Sequence, residues 1–421
     1  MHWTILTFAR RSLLQCGRME AARASITRLS PRPGIVRSAM GGFFLLGSLM
    51  ALLGAFLPVW TYTIQFDLAT AGDYFVAFNL GLFAAAVSAR QNLGRLGLRR
   101  LLVAACLGTG LTLLLLSAIL SPAGLIFPLI VLGFAAGTLT TGVSWLLFDA
   151  MTAPLTFVIL SLAGVFFGCG AVSFTLLIWA SVHNLTAQRT LVLASVLPLL
   201  LGLRYLRQRS LAEPALQTAP LGPSPGTSRS SPAVLLSLAL FFQSGSEWTV
   251  GGWLAFYWIR RLGVNLEAAL GGLALYWTAL TLGKLLGSRA LSLAAPFRVL
   301  SAGTGAALFG CVLLLSAAGP GGAAVGTLLV GAGLGLVYPV GLGILGRRFP
   351  YYHPGFFNGL FSLSLIGGML VPWTVGHLAN AWVIQAAIWV PALGAVMVYV
   401  LLSFLLLEAR VSRMVNTVSS N

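Results

Sequence analysis

The chain has 421 residues, of which 58% are hydrophobic and only 8% are charged, and its mean hydropathy is +0.94. Soluble domains carry about 25% charged residues, so this composition excludes a soluble protein and indicates an integral membrane protein. The net charge of +17 does not indicate nucleic acid binding, because the basic residues lie between apolar segments and not on a soluble face.

Twelve apolar segments follow one another along the chain. Each is about as long as a helix must be to cross a bilayer core of about 30 Å, which takes roughly 20 residues. The segments are continuous and do not alternate with period two, so we predict helices and not a barrel. The predicted fold is therefore an all-α membrane protein of two six-helix bundles. The predicted spans are 39–64, 71–89, 99–120, 123–148, 153–182, 189–206, 232–259, 267–288, 297–318, 321–346, 355–378 and 381–407.

A stretch rich in Pro, Ser and Gly separates the sixth span from the seventh. Residues 207–231 contain too few apolar side chains to bury a core, so we predict a flexible linker there. The predicted domains are then a bundle over 39–206 and a second bundle over 232–407, with tails at 1–38 and 408–421.

The first 38 residues are basic, and their charges follow a short apolar run, which is the wrong order for a cleavable signal peptide. We interpret this stretch as a basic cytoplasmic tail that either stays in solution or forms a helix on the membrane surface. Met19 and Met40 are alternative initiator methionines, so the alternative interpretation is that translation starts at one of them and part of the stretch is not in the protein.

The distribution of basic residues predicts the orientation. If the tails and the linker lie on one side, all of the 25 basic residues except Arg189, Arg260 and Arg261 fall on that side. Lys284 is counted there with the loop between the eighth and ninth spans. Cytoplasmic loops are enriched in Arg and Lys, so we predict cytoplasmic termini and expect the inner (plasma) membrane of a bacterium.

The two halves resemble one another at an offset of about 200 residues, as in a parallel repeat. The sequence GFAAG at 133–137 in the fourth span corresponds to GAGLG at 331–335 in the tenth. Small residues at this spacing allow helices to pack closely.

The loop between the second and third spans, ARQNLGRLGLRRLL at 89–102, ends in Gly97, Arg99 and Arg100. With twelve spans and a central linker, this loop resembles the major facilitator superfamily, although no aspartate precedes the glycine. The match covers about Met40 to Leu407. The resemblance implies two bundles that expose a central site to each side of the membrane in turn.

The second half resembles the fucose-permease-like branch of sugar transporters. The residues that carry this resemblance are SEWTVGGWLAFYW at 246–258 and LALYWTALTLGKLLGSRAL at 273–291. The resemblance implies a sugar or another hydroxylated molecule as the solute.

Glu247 is the one acidic residue that lies deep within a predicted span. An ionised carboxylate at that depth costs at least a few kcal/mol, so it normally faces a wet cavity, pairs with a cation or carries a proton. Gln243 shares its helix face, and Gly251 one turn further on leaves space beside it. We expect no basic residue at comparable depth, because Arg260 and Arg261 lie at the end of the span. Glu247 is thus predicted to be the proton carrier or the main anchor for a hydroxylated solute, with a structural pairing as the alternative.

Three further residues are candidates for the same site. Trp277, deep in the eighth span, is of the type on which sugar rings stack. Asn79 and Asn358 are polar residues inside spans, and they serve either the solute or hydrogen bonds between helices, with the latter favoured.

A gate is expected on the side of the predicted cytoplasmic loops. Asp149 ends the fourth span on the same side as Arg90, Arg95 and Arg99, which otherwise have no acidic neighbour. We predict that these residues pair and bias the protein between its two open states.

These features predict a secondary transporter with a small-molecule solute, H⁺ as a possible coupling ion and the lipid bilayer as its surroundings. No phosphate-binding loop, catalytic motif or metal-ligand cluster is present, so we expect neither an enzyme nor a cofactor. We expect a monomer. The alternatives are an exporter of amphipathic compounds, a membrane-embedded enzyme, and a receptor or scaffold that does not transport.

Overall fold

The computed structural model describes residues 33–150, 156–208, 230–348 and 354–419. Within these ranges it contains twelve α-helices and one turn of 3-10 helix. The helices of the first half are α1 (Pro33–Thr63), α2 (Leu68–Leu96), α3 (Leu98–Ala118), α4 (Ile126–Ala150), α5 (Thr156–Ser181) and α6 (Ala187–Arg207), and the 3-10 turn at Ala123–Leu125 precedes α4. Those of the second half are α7 (Ser230–Leu262), α8 (Leu266–Leu293), α9 (Pro296–Ser316), α10 (Pro320–Arg348), α11 (Pro354–Ala381) and α12 (Ala386–Ser419).

Each predicted span corresponds to one of these helices, and several helices extend beyond the apolar segment. The helix α2 continues through the basic stretch to Leu96, and α12 continues to Ser419. The break after α2 occurs at Gly97, whose φ of 72° favours glycine. The basic stretch between the second and third spans is thus mostly helical, because only Gly97 interrupts it.

Ten helices of the described chain are long and apolar enough to cross a membrane by length and composition. The helices α7 and α11 are not among them. In α7 the polar residues Gln243, Ser246 and Glu247 interrupt the apolar sequence. The protein is therefore an integral, multi-pass membrane protein in which α7 carries polar groups through the bundle.

The two halves have the same helix pairings, shifted by six helices. In the first half α2 packs on α4, α1 on α5, and α3 on α6. In the second half α8 packs on α10, α7 on α11, and α9 on α12. This equivalence is what a parallel repeat of one six-helix unit produces.

Glycines at equivalent positions make the same close helix contacts. A Cβ atom added to Gly331 of α10 would lie 2.8 Å from the carbonyl oxygen of Tyr276 in α8. Gly133 of α4 likewise lies against the carbonyl of Phe78 in α2, where a Cβ atom has no room. The small residues noticed in the sequence thus let paired helices approach backbone to backbone.

The bundle has two ends, which the ends of α1 and α12 distinguish. The chain-end face is where α1 begins at Pro33 and α12 ends at Ser419, and the far face is the opposite end, where α1 ends at Thr63. The halves meet mainly through three helix pairs, which are α2 with α11, α5 with α8, and α1 with α7, and α1 also touches α8. A site between the halves is therefore lined by members of these pairs.

Candidate functional site

Glu247 lies near the middle of α7, 15 residues before the helix ends at Leu262. At 1.5 Å per residue this places it about 22 Å from the far face, close to the centre of a bilayer core. The side chain is 17% exposed. The carboxylate is thus largely removed from water and needs partners that offset the lost hydration.

A lysine provides the main partner. Lys284 Nζ lies 2.7 Å from Glu247 Oε2, and the lysine side chain is 18% exposed. Lys284 follows the start of α8 by 18 residues, which places it about 27 Å from the far face, at nearly the depth of Glu247. The expectation that no basic residue reaches this depth is therefore wrong. It failed because Lys284, although it lies inside the predicted span 267–288, was counted with the basic residues between the eighth and ninth spans and its depth in α8 was not considered.

The lysine ammonium also lies over an aromatic ring. Its Nζ is 4.6 Å from the ring centroid of Tyr338 in α10. A cation over a ring face is attracted by the ring quadrupole, more strongly where water is scarce. The ion pair and the ring contact together link α7, α8 and α10 at the centre of the second half.

Gln243 completes the polar cluster. It lies one turn before Glu247 on α7, and its Nε2 donates to Glu247 Oε1 at 2.9 Å and to the carbonyl oxygen of Leu334 at 3.1 Å. The hydroxyl of Tyr276 donates to the main-chain oxygen of Glu247 at 3.2 Å. Both carboxylate oxygens of Glu247 therefore have a described donor, and the position of the side chain is fixed.

A cavity of about 130 Å³ lies beside this cluster, between the two halves. Among the described lining residues, those of the first half are apolar and come from α1 and α5, and the polar ones come from the second half. At about 30 Å³ per molecule, the cavity has room for about four waters. The lining residues are Met50, Phe167, Leu240, Gln243, Ser244, Glu247, Trp248, Trp277, Tyr338 and Ser364.

Trp277 forms part of the cavity wall and is only 5% exposed. A Cβ atom added to Gly251 would lie 2.8 Å from Trp277 Cζ2, so the glycine leaves space for the indole ring. The space expected beside Glu247 is thus filled by a side chain of α8. Trp277 Nε1 is buried and has no hydrogen bond partner among the described residues.

Asn79 is not among the cavity-lining residues. Its side chain is fully buried, and its Nδ2 donates to the carbonyl oxygen of Phe75 at 3.0 Å and, across the two halves, to that of Gly368 at 3.2 Å. Asn79 therefore makes the kind of hydrogen bond between helices that the sequence favoured. Asn358 lies in α11, but its side chain is outside the described residues.

The halves are in contact at the far face. Trp373 Nε1 of α11 donates to Asp73 Oδ1 of α2 at 2.9 Å, and His183, after α5, pairs with Glu267 in the first turn of α8. Closer to the cavity, the carbonyl of Gly251 in α7 lies against Gly54 of α1. These contacts join the halves between the cavity and the far face.

Solved structures with the same arrangement decide the fold. The chain matches a structure described as the major facilitator superfamily transporter FucP in the outward conformation, with a TM-score of 0.62 and 19% identity. That match covers 88% of this chain and 98% of FucP, and a second match of the same extent is described as the E. coli fucose:proton symporter FucP. A structure of the nucleoside transporter NupG matches with a TM-score of 0.64 and 14% identity, covering 89% of this chain and 98% of NupG.

The chain has the major facilitator fold. No protein-family model matches the sequence, and no curated protein matches it. The sequence motifs in the loop after the second span and in α7 and α8 are too short to give a match to a family or to a curated protein. The three-dimensional structure does give matches, and they extend over most of the chain.

The residues of the predicted gate lie near the ends of α2 and α4, and both helices end at the chain-end face. Arg95 is exposed in the last turn of α2, and Arg99 is half-buried at the start of α3. The side chains of Arg90 and Asp149 are outside the described residues. The gate therefore stays a prediction.

Lys284 is the functional candidate that the sequence reasoning missed. The residue is the only lysine in the chain, in which arginine otherwise supplies the positive charge. The sequence did contain a signal for this pairing. A single lysine lies inside the segment 266–293, and the preceding span contains a single buried carboxylate with which it can pair.

Proposed function

We propose that the protein is a secondary active transporter that moves a small hydroxylated solute, a sugar or a related molecule, across a bacterial inner membrane by alternating access. The observation that carries this proposal is the cavity between the halves, with Glu247 and Gln243 on its wall at mid-helix depth. Such a position suits a site that each side of the membrane reaches in turn.

The chemistry of the wall supports a hydroxylated solute. The carboxylate of Glu247 and the hydroxyls of Ser244 and Ser364 offer hydrogen bonds, and Trp248 and Trp277 offer ring faces. Sugars present hydroxyls at their edges and apolar C–H groups on their faces, and this combination matches both kinds of group.

The size of the cavity supports alternating access. Ligand pockets commonly measure about 300–1,000 Å³, and the cavity of about 130 Å³ is smaller than this range. A ring-sized solute therefore requires the halves to move apart, and contacts such as Trp373 with Asp73 must separate when the far face opens. If the chain-end face is cytoplasmic, as the basic residues predict, these contacts lie on the outer side of the cavity.

Proton coupling is the proposed source of energy. Glu247 is the carboxylate on the cavity wall, and it can exchange a proton with water on whichever side the cavity is open. The proposed gate of Asp149 with Arg90, Arg95 and Arg99 would bias the two open states by about 1 kcal/mol or less, because exposed ion pairs are weak.

The test is uptake by the full chain in proteoliposomes. We expect an imposed proton gradient to drive accumulation of a labelled solute in the wild type. Glu247→Gln should retain binding and lose accumulation driven by the gradient. The control is Glu213→Gln, the same substitution in the predicted linker, which should accumulate solute as the wild type does. Gradient-driven uptake that is normal in Glu247→Gln would remove Glu247 from the mechanism.

A second candidate is export of amphipathic compounds. The first half contributes only Met50 and Phe167 to the cavity wall, and Leu240 adds a further apolar surface. A thermal-shift series of sugars, polyols and hydrophobic cations separates the two functions, because a ligand that binds only the folded state raises the melting temperature.

A further inference from the structure

We infer that the solute is an anion, a small hydroxylated carboxylate of the sugar-acid class, and that its carboxylate pairs with Lys284 when Glu247 is protonated. The inference rests on the transport function proposed above and adds the charge of the solute to it.

The first argument is the hydrogen-bonding capacity that the ion pair leaves unused. Both oxygens of Glu247 already accept a hydrogen bond, Oε1 from Gln243 and Oε2 from Lys284. The Lys284 ammonium has three N–H donors, and among the described residues only Glu247 Oε2 accepts from it. Two of the three ammonium donors are therefore unused among the described residues, and a group rich in acceptors would bind them once the halves move and Lys284, which lies behind the lining residues, is reached from the cavity.

The second argument comes from two buried polar atoms on the cavity wall. Trp277 Nε1 is a donor without a described partner, and Gln243 Oε1 is an acceptor without one. Trp277 and Gln243 are each more than nine-tenths buried and both line the cavity. A solute with a carboxylate and hydroxyls satisfies all three groups, since its oxygens accept from Lys284 and Trp277 and a hydroxyl donates to Gln243 Oε1.

The third argument is the charge of the site. Without solute, Glu247 and Lys284 form a neutral pair. When Glu247 takes a proton from water, its hold on Lys284 weakens and the site carries one positive charge. A bound carboxylate makes the site neutral again, so proton and anion favour the same occupied state and each strengthens the binding of the other. A cationic solute would instead add a second positive charge beside Lys284, which is costly in the interior of a membrane.

Other titratable groups do not replace either member of the pair. Among the described residues that face it, Tyr276 donates its hydroxyl to the main chain of Glu247, and the ring of Tyr338 lies below the lysine ammonium. The lining from α1 and α5 consists of Met50 and Phe167, which do not titrate. The pair itself is thus the group on which the pH dependence of binding depends.

The test compares sugars of the same ring configuration that are neutral, anionic or cationic. Glucose, glucuronate and glucosamine, and the same three forms of galactose, are titrated into the purified full chain by calorimetry at about pH 5 and about pH 8. We expect each acid to bind more tightly than the neutral sugar and the amine. We also expect the affinity for the acid to be at least about tenfold higher at the lower pH, because one charge-assisted hydrogen bond is worth at least that factor.

Variants separate this mechanism from its alternatives. Glu247→Gln imitates the protonated carboxyl, so we expect it to bind the acid at about pH 8 about tenfold more tightly than the wild type and without pH dependence. Lys284→Gln should lose acid binding. The double variant Glu247→Gln with Lys284→Gln leaves no unpaired charge, so it should fold and it serves as the control. We expect it to bind neutral sugars and not to bind acids.

Four results would overturn the inference. Loss of acid binding in Glu247→Gln would make the Glu247 carboxylate itself the anchor of the solute. Tighter binding of the amines than of the acids would assign the cavity to a cation. Proton-driven uptake of a neutral sugar in preference to its acid would leave the transport function intact and remove the anion. A wild-type protein that neither binds nor accumulates any of these sugars would contradict the inference and the proposed function together.

Discussion

Trp373 and Asp73 are 300 residues apart in the chain, and the indole Nε1 of the first donates to the carboxylate of the second at 2.9 Å. The bond joins α11 to α2 across the two halves. His377 lies on the same face of α11, and its ring centroid is 4.4 Å from that of Trp373. This cluster is a latch that must open whenever the halves separate at the far face.

We predict that Trp373→Phe shifts the protein toward the state that is open at the far face. The substitution removes the donor and keeps most of the ring, and a hydrogen bond to a charged group is worth about 1 kcal/mol or more, which corresponds to about a fivefold change in population. The measurement is the distance between spin labels at Tyr62 and Trp382, which are both highly exposed.

The labelling experiment needs a background without reactive cysteines and a control variant. The labels go into a background that lacks Cys169, because that cysteine is exposed and would react, and Cys16 is replaced as well. Trp389→Phe, an exposed position on α12, is the matched control and should leave the distance distribution unchanged. A distribution in Trp373→Phe identical to that of the control would show that the latch does not bias the two states.

A second prediction concerns the stability of the ion pair. Glu247→Gln and Lys284→Met each leave one buried charge without its partner, so each should lower the free energy of unfolding by about 2–4 kcal/mol. This is somewhat less than for a fully buried pair, since 17% and 18% of the two side chains stay exposed. The double variant should recover most of the loss, and thermal unfolding in detergent measures all three. Additive losses in the double variant would mean that the pair contributes no coupling.

A third prediction concerns the crossing of α1 and α7. A Cβ atom at Gly54 has no room against the carbonyl of Gly251, so Gly54→Ala should force the helices apart and cost about 1–3 kcal/mol. Gly305→Ala is the control, because nothing lies within 4 Å of a Cβ atom there. We expect the control to be neutral or slightly stabilising, since alanine favours a helix more than glycine does. Equal melting temperatures for both variants would contradict the close crossing.

A fourth prediction follows from the cap of α2. Thr70 N donates to Asp67 Oδ1 at 2.8 Å, and the hydrogen bonds from Thr70 lower the pKa of the Asp67 carboxyl. A lowered pKa in the folded state stabilises the protein above the ordinary aspartate pKa of about 3.9, and this stabilisation is lost as the pH falls through the folded value. We expect Asp67→Ala to lower the stability by about 1 kcal/mol at neutral pH and by less below about pH 4. Asp67→Asn, which keeps a capping oxygen, should lose less than Asp67→Ala, and a loss in Asp67→Ala that is constant with pH would show that the charge does not contribute.

The fold was predictable because it depends on long apolar segments. Every helix from α1 to α12 was found from its apolar sequence, and the equivalence of Gly133 and Gly331 indicated the repeat. The ends of the helices were less predictable, since polar residues continue a helix as readily as they end it. Thus α2 extends to Leu96 until Gly97 allows a turn.

The site was predictable only in part. Glu247 and Gln243 share a helix face by their spacing of four residues, and this was visible in the sequence. The partner of Glu247 was not, because Lys284 is 37 residues away on another helix and contact across helices depends on packing. Trp277 was selected by residue type, whereas its position beside Gly251 required the helix crossing in three dimensions.

The contacts at the far face bear on which solution reaches the cavity first. Gly54, Asp73 and Glu267 all lie in contacts between the cavity and that face. A membrane-impermeant ligand added to sealed vesicles whose chain-end face points outward would therefore meet none of these contacts on its way to the site. In vesicles of the opposite sidedness, the same ligand must wait for the latch to open. The first seconds of binding to the two vesicle populations would thus report the opening rate, whereas detergent-solubilised protein, which has no inside, would not distinguish them.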